Sequence, residues 1–131
     1  MKKHGILHHE LAQVIAQLGH GDMLIIADAG LPIPPNVQRI DLAVTGGVPA
    51  FLSVLAAVLG EMQVERATIA SEMVMRSPAM QQSLLDLCAA IPISAVSHEE
   101  FKRLSQTARA IVRTGEFTPY ANIILYSGVV F

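Results

Sequence analysis

Residues 19–34 read GHGDMLIIADAGLPIP, and the rest of the chain is organised around them. Met23 to Ala27 is a short apolar run of the length and composition of a buried strand. His20, set between Gly19 and Gly21, precedes it, and Asp28 follows it. After Asp28 the chain turns at Ala29-Gly30 into the stiff Leu-Pro-Ile-Pro-Pro segment. Chemistry in α/β folds gathers outside the carboxyl ends of strands, which singles out Asp28. Histidine gives and takes protons near neutrality, which singles out His20. Without a functional role, His20 is a turn residue and Asp28 caps a loop.

Upstream, residues 8–18 (HHELAQVIAQL) predict a helix, because Leu11, Val14, Ile15 and Leu18 recur at helical spacing. Gly19 supplies its C-terminal stop. Downstream, Arg39–Val44 predicts a second strand, ended by Gly46-Gly47. Pro49 is expected in the first turn of the following helix, AFLSVLAAVLG, where no N–H partner is needed. That helix is apolar nearly all round, which implies burial on more than one side. Arg66–Ala70 reads as a strand ending at Ser71-Glu72. Ser77 and Pro78 are expected to open a helix running through Ala90, with Ser77 as its cap and Cys88 on its apolar face. Ile91–Val96 is a strand interrupted by Pro92, hence an edge strand or one that starts late. Ser97-His98-Glu99-Glu100 has the form of a capping box and opens a helix to about Ala108. Ala110–Arg113 and Ile123–Tyr126 are strands flanking the polar loop 114–122, TGEFTPYAN. The apolar end, Gly128–Phe131, is expected to dock in the core or between subunits. Alternating helices and strands predict an α/β fold of three layers, α/β/α. Strand pairs that follow one another without a helix allow the central sheet to be mixed.

Composition narrows the classes. The chain has 131 residues, one domain's worth, of which 52% are hydrophobic and 15% charged. Soluble domains average about 25% charged, so part of this surface is expected to meet other subunits rather than water. No apolar run reaches the roughly 20 residues that span a bilayer. No basic stripe with interleaved aromatics points to nucleic acid. The lone cysteine, Cys88, excludes an intrachain disulfide. The Met-Lys-Lys start lacks a signal peptide's apolar region, which predicts a cytoplasmic chain.

The chemistry-bearing groups are few. His4 and His8 are four apart, but Gly5 weakens a helix there and no carboxylate or cysteine completes a metal set. There is no phosphate-binding glycine loop and no nucleophile elbow. His98, at a helix start, is suited to hydrogen-bonding a hydroxyl. With His20, Asp28, Tyr120 and Asn122 it makes a set that binds hydroxyls and moves protons, which fits a small polyhydroxylated molecule. His20 and Asp28 lie eight residues apart, about 26 Å if fully extended. Either turns bring the two back together, or each end of the strand serves a different pocket shared between subunits.

Several stretches resemble one family along nearly the whole chain: MKKHGIL, LGHGDMLIIADAGLPIP, GVPAF at 47–51, SHEEFK at 97–102 and RTGEFTPYANIIL at 113–125. Together they are similar to the D-ribose pyranase (RbsD) group, with L-fucose mutarotase as a more distant relative. The resemblance implies an isomerase that interconverts pyranose and furanose forms of D-ribose without metal or cofactor. It implies that His20 is the proton donor and that Asp28, His98, Tyr120, Ala121 and Asn122 bind the sugar. It also implies a homodecamer of two pentameric rings. Gly21 and Val74 depart from the pattern, standing where threonine and lysine are expected. A fucose mutarotase, or a sugar-binding ring without catalysis, are the alternatives.

Overall fold

The computed structural model describes residues 1–131. The strands are β1 (Met23–Ala27), β2 (Gln38–Asp41), β3 (Val64–Ala70), β4 (Ile93–Val96), β5 (Ala110–Arg113) and β6 (Ile123–Ser127). The helices are α1 (His9–Gln17), α2 (Phe51–Leu59), α3 (Ser71–Arg76), α4 (Pro78–Leu87) and α5 (His98–Ser105). The six strands form one sheet in the order β2-β5-β1-β6-β3-β4. Five run in the same direction. Only β6 is reversed, pairing antiparallel with both β1 and β3, so the sheet is mixed.

Alternation along the strands splits the core in two. Leu24 and Ile26 join Leu11, Phe51, Leu55, Met73 and Leu84 beneath α1–α4. Ile25 and Ala27 join Phe101 of α5 and Leu31 and Val37 of the proline-rich segment on the opposite face. Both faces of β1 are thus covered, which is why its sequence is continuously apolar rather than alternating. This is the expected three-layer α/β/α arrangement, with very unequal outer layers.

Several boundaries differ from expectation for local reasons. β2 stops at Asp41 rather than Val44, because the Asp41 side chain accepts the Ala43 N–H at 3.1 Å and turns the chain. Pro49 is outside α2: it follows a cis peptide bond and Ala50 is the N-cap. β3 begins at Val64, and α3 follows it directly, a short helix the sequence pattern did not disclose. Ser77 occupies the N-cap of α4, but its hydroxyl donates to the Pro119 carbonyl at 2.8 Å instead of capping. α4 ends at Leu87, which leaves Cys88 as C-cap, yet Cys88 is buried in the core as expected. β4 both starts late, after Pro92, and lies at the sheet edge. α5 ends at Ser105, short of Ala108. Val130 and Phe131 project from the chain, 86% and 101% exposed, so the C-terminus does not enter its own core. No helix is long and apolar enough to cross a membrane.

Candidate functional site

Because five strands share a direction, their carboxyl ends gather at one edge of the sheet. Asp28 follows β1 there, Arg113 ends β5, His98 opens the helix after β4, and loop 114–122 leads into β6. They border an open cleft of about 650 Å³ lined by Asp28, His98, Arg113, Glu116, Thr118 and Tyr120 among others. Its position obeys the rule for α/β sheets.

Asp28 is held as an oriented acceptor. Its Oδ1 accepts the Gly30 N–H at 2.9 Å, and its Oδ2 accepts an N–H of the Asn122 side chain at 3.0 Å. Asn122 also accepts the Asp28 backbone N–H through Oδ1 at 2.9 Å. Asn122 is fully buried, and both ends of its amide are engaged with Asp28. It therefore orients Asp28, with which the sequence also groups it. Ala121 is also fully buried and donates its N–H to the Thr118 carbonyl at 3.3 Å. Tyr120, just before it, has φ +63°, a left-handed backbone that is a genuine outlier for a bulky residue and typical of functional sites. The turn sets the Tyr120 ring edge-to-face with His98, centroids 5.1 Å apart. Nδ1 of His98 is closed off from solvent without a hydrogen-bond partner.

Carboxylates from distant parts of the chain hold these pieces. Ser97 caps α5 as expected, accepting the Glu100 N–H at 3.2 Å, but Glu100 does not reach back. Its carboxylate binds Arg103 instead, and Glu72 takes the His98 N–H at 2.9 and 3.1 Å. The His98 N–H, followed by smaller contributions, holds the Glu72 carboxyl below the ordinary range against slight desolvation. α2 has no side-chain cap of its own; Glu116 accepts the Phe51 N–H at 3.1 Å and binds Thr118 through both N–H and hydroxyl. Burial works against the charge of Glu116, but these hydrogen bonds outweigh it and keep the carboxyl low. Arg113 bridges the Ala29 carbonyl and Asp41, at 3.0 Å each. Glu116 lies inside a loop that the sequence marks as functional. Nothing in the sequence marks Glu72, whose partner is 26 residues away.

His20 is not in this cleft. It stands before β1 at the opposite edge of the sheet, across a five-residue strand of about 17 Å. The turns do not bring it back to Asp28. Its Nε2 meets Glu65 Oε2, at the start of β3, at 2.8 Å. The ring is otherwise well exposed. His4 lies before α1, and His8 is its N-cap, so no helix face brings the two together.

Comparison with known proteins places this geometry. A curated relative from Paracidovorax citrulli, named D-ribose pyranase, is 59% identical over 133 residues and 100% of both chains. One of the same name from Laribacter hongkongensis is 56% identical over 131 residues, again covering both chains fully. The solved structure of Bacillus subtilis RbsD complexed with D-ribose matches with a TM-score of 0.97 at 49% identity, covering 100% of each chain. A fucose mutarotase from Streptococcus pneumoniae, in complex with L-fucose, matches at TM-score 0.85 and 26% identity, covering 99% of this chain and 100% of that one. The model of the RbsD / FucU transport protein family matches residues 1–130, and the chain belongs to that family.

Proposed function

We infer that residues 1–131 form a single ribose-pyranase-like domain that interconverts the pyranose and furanose forms of D-ribose. The observation that carries this is the full-length likeness to the ribose-bound structure, at a TM-score of 0.97 and 49% identity. The chain's own cleft fits the assignment: it offers an oriented carboxylate, an imidazole and a tyrosine, without a cluster of like charges.

Ring interconversion opens and recloses a hemiacetal. A base takes the proton of the anomeric hydroxyl, and an acid protonates the ring oxygen as its bond to the anomeric carbon breaks. A different hydroxyl of the open aldehyde then attacks the carbonyl, and the protons return. No atom or electron is gained or lost, so the reaction as written calls for neither metal nor cofactor. General acid–base assistance is worth about 10²–10⁴-fold, enough for a reaction that already runs slowly in water. We assign the proton transfer to His20. Asp28, His98, Tyr120, Ala121 and Asn122 bind the sugar, with Asn122 also orienting Asp28.

Since His20 and Asp28 stand at opposite edges of one chain, a pocket holding both needs a second copy. We therefore take the protein to be a homo-oligomer, a decamer of two pentameric rings, whose pockets are shared between subunits. The exposed Val130 and Phe131 and the low charge content support extensive subunit contacts. We place the enzyme in the cytoplasm, where its single free cysteine, Cys88, stays reduced.

The test is sugar exchange by NMR. Protein added to equilibrated ribose should accelerate saturation transfer between pyranose and furanose signals, and His20→Ala should abolish this. Acceleration confined to the anomers of fucose would assign the chain to the mutarotases. Binding without acceleration of either would leave a sugar-binding ring.

A further inference from the structure

We propose that Glu65 is the positioning residue for His20, fixing its ring so that Nδ1 is the nitrogen that exchanges a proton with the sugar. This rests on the catalytic role proposed for His20. The central observation is the 2.8 Å contact between His20 Nε2 and Glu65 Oε2. An ionised carboxylate only accepts hydrogen bonds, so Nε2 must carry the hydrogen. In the neutral ring the free lone pair is then on Nδ1. When Nδ1 takes up a proton, the imidazolium lies against a carboxylate already in place, the arrangement that orients histidine bases elsewhere.

The backbone is shaped around this contact. β3 pairs Val64 with Ser127 and then Arg66 with Tyr126, so β3 advances two residues while β6 advances one. Glu65 is the extra residue of a β-bulge, a device that re-aims side chains beside functional sites. Ala67 and Ile69 face the larger core, and unbroken alternation would aim residue 65 there too. The bulge gives that place to Val64 and leaves Glu65 at the rim, while Arg66 lies over the Tyr126 ring at 3.4 Å. A Cβ at position 128 would stand 3.1 Å from the Cβ of Glu65, tighter than ordinary contact, and Gly128 leaves that space open.

The turn carrying His20 is pinned as firmly. Asp22 Oδ2 accepts the Gly19 N–H at 2.8 Å and pairs with Arg109 at 3.1 Å. Gly21, at φ +81°, donates its N–H to the Ser127 carbonyl at 2.8 Å, and the Ser127 N–H returns to Asp22. The turn and the bulge are thus both tied to the end of β6. An exposed histidine ordinarily samples several rotamers, but this one has its backbone and its ring held from separate elements.

The experiment combines ¹⁵N NMR of the His20 ring with ribose exchange in Glu65→Ala, Glu65→Gln and His20→Ala. The intact protein should show the Nε2–H form at neutral pH. Glu65→Ala should lose that preference and lower the maximal exchange rate about tenfold, with half-saturating ribose changed less than about twofold. Glu65→Gln keeps an acceptor oxygen and should stay within about threefold of the unmodified enzyme, with the ring form retained. An Nδ1–H ring in the intact protein overturns the proposal. So does Glu65→Ala turning over normally while His20→Ala is inactive. Normal turnover by His20→Ala would overturn the role of His20 itself, a distinct result.

Discussion

Replacing Asn122 by Asp exchanges one nitrogen for an oxygen and keeps the shape, so it isolates the electrostatics of the Asp28 pair. In the native site the Asn122 side-chain nitrogen donates to Asp28 Oδ2 at 3.0 Å. In Asn122→Asp two carboxyl groups meet at that separation, and they cannot both ionise freely. One apparent pKa of the pair should rise by about 2 units, each unit being worth 1.36 kcal/mol. In the unfolded chain both groups titrate near 3.9. The folded state therefore keeps a proton that the unfolded state has released, and stability falls as pH rises from about 4 to about 6. At pH 7 the loss is about 3 kcal/mol. With an unfolding entropy of roughly 2.1 cal/mol/K per residue, that lowers Tm by about 10 °C for a chain of this length. Below pH 4 a shared proton restores the bond, and most of the deficit should vanish. Asn122→Ala is the control. It leaves the Asp28 N–H without its partner and should cost about 2–3 kcal/mol at every pH. Thermal unfolding of the three proteins from pH 4 to 8, at one protein concentration, provides the comparison. A loss in Asn122→Asp that is flat with pH, or no loss, would refute the assignment of Asn122 as the group that orients Asp28.

His20→Ala should abolish ring exchange while ribose affinity, by calorimetry, changes less than about threefold, because His20 moves the proton while the other groups of the shared pocket hold the sugar. Mixing inactive His20→Ala with inactive Tyr120→Ala subunits should restore part of the exchange if pockets are shared; none would return from pockets contained in one chain. The carboxyl of Glu72 is depressed chiefly by the His98 N–H, so its stabilisation is present above the unfolded carboxyl value, about 4.3, and is lost as pH falls through the lower folded value. Amide exchange at the start of α5 should accelerate in that acid range, and Glu72→Ala should show it already at pH 7, with weaker ribose binding. Removing Val129–Phe131 should shift sedimentation toward smaller assemblies, since these exposed apolar residues are expected between subunits.

The strand Met23–Ala27, both core faces of β1, the cap at Ser97 and the late edge strand after Pro92 were legible in the sequence because each follows from local chemistry. A run apolar at every position fits a strand covered on both sides, and a serine three residues before Glu100 caps a helix wherever it is placed. Part of the cleft was legible too: Asp28, His98 and Tyr120 stand on segments whose types and order put them at strand ends, whereas nothing in the sequence singles out Arg113 and Glu116. Three things were settled only by tertiary structure. Asn122 is buried against Asp28, 94 residues away, and holds that carboxylate through both ends of its amide, a contact that no local pattern announces. Glu72 and Glu116 supply helix N-termini from far along the chain, and capping across such separations leaves no local pattern. The direction of β1 relative to its neighbours put Asp28, not His20, at the end of the sheet where His98, Arg113 and loop 114–122 gather. Sequence records that a strand separates two residues, but only the packed sheet fixes which edge each occupies and therefore which group each can reach.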